Sequence, residues 1–167
     1  MKMAIASVFL CVLAAPAAAQ HHAYHGQHGR EIKALSPEEV KQYLAGAGMG
    51  YAKAAELNQF PGPQHALELA DRLGLDPAQR AAIQRLMDAH KAEARAIGAR
   101  LVESERTLEA LFRSGKVDQA ALAKSVLAAA ALEGEYRLSH LETHRRMRSL
   151  LTQEQVARYD ELRGYRK

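Results

Sequence analysis

A row of residues recurring every four or three positions most constrains this chain: Ile83, Met87, His90, Ala94, Ile97, Leu101, Ser104, Leu108 and Leu111. On an α-helix those steps fall on one side, so the stretch from Pro77 to about Arg113 reads as one long amphipathic helix. The segment RSGKVD (113–118) breaks the row, and a second one follows: Leu122, Val126, Ala129, Glu133, Tyr136, His140, Thr143, Met147 and Leu150. Two long helices joined by so short a turn must pack antiparallel. With the turn centred near Gly115, Leu108 faces Leu122, Leu101 faces Ala129, Ala94 faces Tyr136 and His90 faces His140. Met87 then faces Thr143, one turn from Met147. Glu133 opposite Ile97 is a poor match, so the neighbouring Leu132 is expected to do that packing.

Helix starts are written in a second pattern. LSPEE (35–39), LDPAQ (75–79) and LTQEQ (151–155) each carry a capping residue, Ser36, Asp76 or Thr152, followed three positions on by Glu39, Gln79 or Gln155. This is the capping box, in which each side chain satisfies the other residue's backbone N–H. Pro37 and Pro77 sit at the first helical position, where a missing N–H costs nothing. Between the first two boxes, Gly46, Gly48 and Gly50 interrupt a helix-forming stretch and predict one broken or two short helices. NQFPGPQ reads as a loop, HALELADRLG as a short helix ended by Gly74, and the last helix runs from Gln153 to about Arg163. No strand pattern occurs. The expected fold is all-α: a long antiparallel helical hairpin with short N-terminal helices and a C-terminal capping helix.

The first twenty residues, MKMAIASVFLCVLAAPAAAQ, have one Lys, an apolar run and Ala17 and Ala19 before a cleavage point, the pattern of an export signal over 1–19. The run is shorter than the roughly 20 residues that span a bilayer, and no other stretch qualifies, so the exported chain is expected to be soluble. Leu10 before Cys11 is not the small residue that lipidation at that Cys would need. Cleavage removes the only Cys and Lys2, leaving 148 residues of formal charge +3 against +4 for the whole chain. No disulfide can form, and the small, dispersed charge excess gives no case for a nucleic-acid partner. Residues 20–34 are polar and aperiodic and read as a disordered His-rich tail, with a single helical domain over 35–167.

The histidines outside that tail, His65, His90, His140 and His144, are brought towards one end of the hairpin by this topology. Imidazole suits Zn, Cu, Ni and Co, and thioether from Met87 or Met147 favours Cu(I). The plain alternative is that His90 and His140 are hydrogen-bonded packing residues and the two Met fill space. In the tail, cleavage after Ala19 would leave Gln20, His21, His22 at the new terminus. A free amine, two amides and the His22 imidazole suit Cu(II) or Ni(II), with His25 and His28 as auxiliary ligands; a merely soluble leader is the alternative. Arg145, Arg146, Arg148 and Arg158 make the C-terminal third basic, either as a solvated surface or as a patch that steers an acidic partner. No H-E-x-x-H, G-x-S-x-G, phosphate loop or Cys nucleophile is present, and catalysis is not expected.

The hairpin, the export signal and the paired motifs LDPAQ and LTQEQ resemble the periplasmic Spy/CpxP/ZraP family and its heavy-metal-resistance relatives, including CnrX-type sensors. LTQEQ matches the L-T-x-x-Q pattern fully; LDPAQ has Asp for Thr, which keeps the cap chemistry. The resemblance implies a periplasmic helical homodimer. It also implies either ATP-independent holding of unfolded proteins or binding of Zn, Ni, Co or Cu with a report to a membrane sensor protein. The CnrX-type pattern has two His before the L-D of the long helix, an acid near its third turn, and a His and Met before the last cap. Here His65 matches the first position, Leu69 replaces its partner, and Met87 stands at the acid. His144 and Met147 stand near the last pair, spaced by three instead of four.

Overall fold

A computed structural model describes residues 24–166; the expected export signal and the tail residues His21 and His22 lie outside them. All regular structure among the described residues is helical, in six elements: α1 Pro37–Ala45, α2 Lys53–Glu56, α3 Pro63–Glu68, α4 Pro77–Arg113, α5 Gln119–Arg148 and α6 Gln153–Arg163. The glycine-interrupted stretch gives two short helices, and α3 starts at Pro63, inside the segment expected as a loop.

Helices α4, of 37 residues, and α5, of 30, form the antiparallel hairpin. The expected row is buried or half-buried along the whole of α4 and buried in α5 from Tyr136 to Met147. Leu132 is the half-buried residue that packs near Ile97, while Glu133 turns outward and accepts a hydrogen bond from Tyr51 at 2.9 Å. Towards the turn the helices are less covered, and Phe112 and Val126 are exposed at 58% and 45%. Two apolar clusters result. One, built from α3, the start of α4, the end of α5 and α6, centres on Ile83, Met147, Val156 and Tyr159. The other, at mid-hairpin, centres on Tyr43, Ala94, Leu101 and Tyr136 and takes in Ile32. The end of the stretch expected as a tail is thus part of the packing: Ile32 is buried and Glu31 pairs with Arg106. A lone Ile in a polar stretch has no periodicity to announce it.

All three capping boxes form. In the second and third the glutamines also meet each other. Gln79 Nε2 donates to Gln155 Oε1 at 2.9 Å and Gln155 Nε2 donates to Gln79 Oε1 at 3.0 Å, while Gln79 also donates to the Leu150 carbonyl at 2.9 Å. Each Oε1 meanwhile accepts the N–H of its own cap, Asp76 or Thr152. A glutamate would serve the box but has no donor for the clasp, so the pairing explains why both motifs end in Gln.

Helix α1 crosses α4 at Gly98. A Cβ there would fall inside the van der Waals envelope of the Tyr43 carbonyl oxygen and 2.7 Å from its carbon, so the backbone would have to shift. Gly98→Ala should therefore destabilise by about 1–3 kcal/mol through overpacking, reversing the ~1 kcal/mol gain of Ala over Gly in a helix; thermal unfolding measures the sign. Gln79→Glu and Gln155→Glu are each expected to cost about 1–3 kcal/mol in urea unfolding by orphaning a part-buried acceptor. The double variant should cost more than their sum, because two carboxylates then face each other.

Candidate functional site

Polar side chains separate the two apolar clusters at the level where α4 and α5 carry their histidines. His90 and His140 meet across the seam edge to face, with ring centroids 4.5 Å apart, as the antiparallel register requires. They line a cavity of about 680 Å³ together with Met87, His144 and His65. Its opposite wall is the glycine-rich segment 45–50, followed by α2 and the start of α3. Met147 does not line it; that side chain is fully buried in the cluster with Val156 and Tyr159. His25 and His28 are exposed and lie away from the cavity.

Hydrogen bonds fix which nitrogen of three rings carries the proton. His140 Nε2 donates to the Ala47 carbonyl at 3.0 Å, beside the Tyr136 hydroxyl, which donates to the same oxygen at 2.6 Å. His144 Nδ1 donates to the Phe60 carbonyl at 2.7 Å, and His65 Nδ1 donates to the Glu68 carboxylate at 2.9 Å. A carbonyl or carboxylate cannot give a proton back, so each neutral ring keeps a lone pair on its other nitrogen: His140 Nδ1, His144 Nε2 and His65 Nε2. His140 Nδ1 is buried with no hydrogen-bond partner. His90 Nδ1 shares a 3.3 Å hydrogen bond with the Ser139 hydroxyl, in which either group can donate. Burial, with His90 and His144 adding repulsion, pushes the His140 pKa down to about 4 from 6.5. Burial also lowers that of His90. Both rings are neutral at pH 7.

The sequence gives no sign of Glu56, which sits on the four-residue helix α2 and lines the same cavity. Its Oε1 accepts from the Tyr159 and Tyr165 hydroxyls, with Arg163 at 3.9 Å. Its Oε2 is buried without a hydrogen-bond partner, 3.4 Å from His144 Nδ1, whose proton goes to Phe60 instead. The partners of Glu56 lie 88 to 109 positions away, so no local spacing could mark it. The Ala47 and Phe60 carbonyls are equally silent, because any residue supplies one.

As the side chains stand, no three His, Cys, Asp or Glu groups among the described residues could hold one ion together. The donor set suits a transition metal in kind and in tautomer, and the rings would have to move to share it. Of the basic residues, Arg145 is held by Glu142 through two hydrogen bonds of 2.6 and 2.7 Å, and Arg158 pairs with Glu161 at 3.2 Å. Arg146 and Arg148 make no ion pair among the described residues.

No helix among the described residues is long and apolar enough to cross a membrane. A family model described as LTXXQ motif family protein matches residues 62–163, more than half of the chain, and spans both glutamine motifs. No curated protein and no solved structure matches the chain. The two clasped capping boxes and the matched span agree, and the chain belongs to the LTXXQ motif family.

Proposed function

We propose that this chain is a non-catalytic periplasmic stress protein that binds a transition metal ion in the histidine-lined cavity and reports metal load through the arrangement of its N-terminal segment. The observation that carries this reading is the set of three rings, His65, His140 and His144, each donating one N–H to a carbonyl or carboxylate oxygen and keeping a lone pair on the other nitrogen. Histidines that ligate metals are held by this kind of N–H donation to a carbonyl or carboxylate, which sets tautomer and orientation. His90 and Met87 are the further candidates on α4. Met147 supports the site only as packing beneath it. A bound ion would supply positive charge to these lone pairs, of which that on His140 Nδ1 is buried without a partner. The chain's part is to present His90 and His140 as neutral rings at pH 7, so that little proton release at them opposes binding. His140 and His144 on α5 and His65 on α3 belong to different elements, so drawing them together favours one arrangement of α1–α3 on the hairpin. The tail residues His21, His22, His25 and His28 would serve as a separate capture site for Cu(II) or Ni(II).

A second reading, holding of unfolded clients by a homodimer, is favoured by the outer face of α5. There Leu127 and Leu138 are 69% and 65% exposed and stand three turns apart. Exposed large apolar side chains on one face suit a partner helix or a client segment.

Titration calorimetry with Zn(II), Ni(II), Co(II) and Cu(II) on the exported chain separates these. The metal reading expects stoichiometric binding that survives replacement of the four tail histidines by Ala and weakens at least about tenfold in the double variant His140→Ala, His144→Ala. Equal affinity in that variant overturns it. Suppression of client aggregation that is indifferent to a chelator would support the second reading instead. The metal-free protein should also lose stability as pH falls from about 6.5 to about 4. The unfolded chain takes up the His140 proton first, so that residue's contribution is complete above its ordinary pKa and fades towards its lowered one. Urea midpoints against pH, compared with His140→Gln, measure the effect; identical slopes would show that His140 is not buried and neutral.

A further inference from the structure

Gly62 precedes α3 with φ −85° and ψ 145°, an extended conformation that alanine adopts without strain, so the backbone does not require glycine there. What glycine supplies is space. A Cβ at this position would lie 3.0 Å from His144 Cε1, 3.2 Å from His144 Nε2 and 3.3 Å from Glu56 Oε2. The lone-pair nitrogen of His144 and the unpartnered oxygen of Glu56 therefore border the same small gap. The other carboxylate oxygen is already saturated by Tyr159 and Tyr165, which hold the group in place.

We propose that Glu56 and His144 form a two-residue clamp for a divalent transition cation, with Glu56 as its anionic ligand and the space beside buried Gly62 as the ion's seat between them. This rests on the metal reading above and adds to it a ligand from α2. The clamp ties α2 directly to α5. A carboxylate oxygen beside an imidazole suits Zn(II), Ni(II) or Co(II) and does not suit Cu(I), which prefers sulfur ligands.

The test uses the exported chain with its tail histidines replaced, titrated with Zn(II) by calorimetry and with Co(II) by visible absorption. Glu56→Gln keeps an acceptor for the two tyrosines but removes the charge. Gly62→Ala keeps every ligand and fills the gap. Each is expected to weaken Zn(II) binding at least about tenfold and to change the Co(II) spectrum. Cu(I) affinity in Glu56→Gln should stay within about threefold of the parent. Circular dichroism of the metal-free variants checks that both remain folded; should one unfold, the other decides. Zn(II) affinity within twofold of the parent in either folded variant overturns the clamp, and leaves the metal reading intact if His140→Ala, His144→Ala has lost binding. A parent that binds no Zn(II) overturns both.

Discussion

The antiparallel seam between α4 and α5 is the contact on which the rest of the molecule depends. Its register is set by a turn of a few residues, and with it the meeting of side chains some fifty positions apart. Once the turn is made, small Ala94 can receive large Tyr136 and His90 must meet His140. The same seam leaves each long helix with an open flank. Short α1 covers one by laying its Tyr43 carbonyl on Gly98, and α3 and α6 close the other around Ile83 and Met147. The reciprocal Gln79–Gln155 amide pair then joins the first turn of α4 to the first turn of α6, fixing the open end where the chain leaves and re-enters the hairpin.

Against that frame the histidines are costly. A continuous apolar seam would bury more hydrocarbon, at about 25 cal/mol per Å², and would leave no polar atom needing a partner. Instead two clusters are divided by rings whose N–H groups reach for backbone oxygens of the N-terminal segment, and His140 keeps a buried nitrogen without any. An unpartnered buried polar atom costs about 1–3 kcal/mol. A second such atom, Glu56 Oε2, borders the same cavity. Both are acceptors. The cavity thus offers lone pairs from His140 and Glu56, beside the cationic side chains of Lys53 and Lys91 that also line it.

Much of this was legible in the sequence, for identifiable reasons. Periodicity and capping chemistry are local, so the limits of α4 and the three boxed helix starts could be read from LDPAQ, LTQEQ and LSPEE, and the hairpin register followed from one loop. Illegible were the contacts made by side chains without a period. Glu56 reaches Tyr159 across 103 positions, Ile32 joins a core from inside a polar stretch, and the Ala47 carbonyl collects two donors from α5. Met147 shows the opposite difficulty. It stands one turn after His144, near the place of a ligand pair though spaced by three instead of four, yet the same spacing puts it on the face that packs against Val156 and Tyr159, and periodicity cannot distinguish a residue lining a cavity from one lying just below it.

The wall of the cavity opposite the hairpin differs from the hairpin in how it is held. Segment 45–62 is held partly by packing, with Met49 and Tyr51 against the mid-hairpin cluster, and partly by polar ties to α5, α6 and Tyr165: the Ala47 carbonyl to Tyr136 and His140, the Phe60 carbonyl to His144, and Glu56 to Tyr159 and Tyr165. Directional bonds of this sort contribute about 0.5–1.5 kcal/mol each and break singly, whereas the apolar clusters separate only as units. Two of those ties end on the histidines themselves, and two more on the carboxylate beside one of them. Any ligand that engages His140, His144 or Glu56 therefore acts on the bonds that seat the wall, without disturbing the seam that sets the register. A ligand bound at the cavity would thus bear first on how segment 45–62 is seated, and only then on the seam.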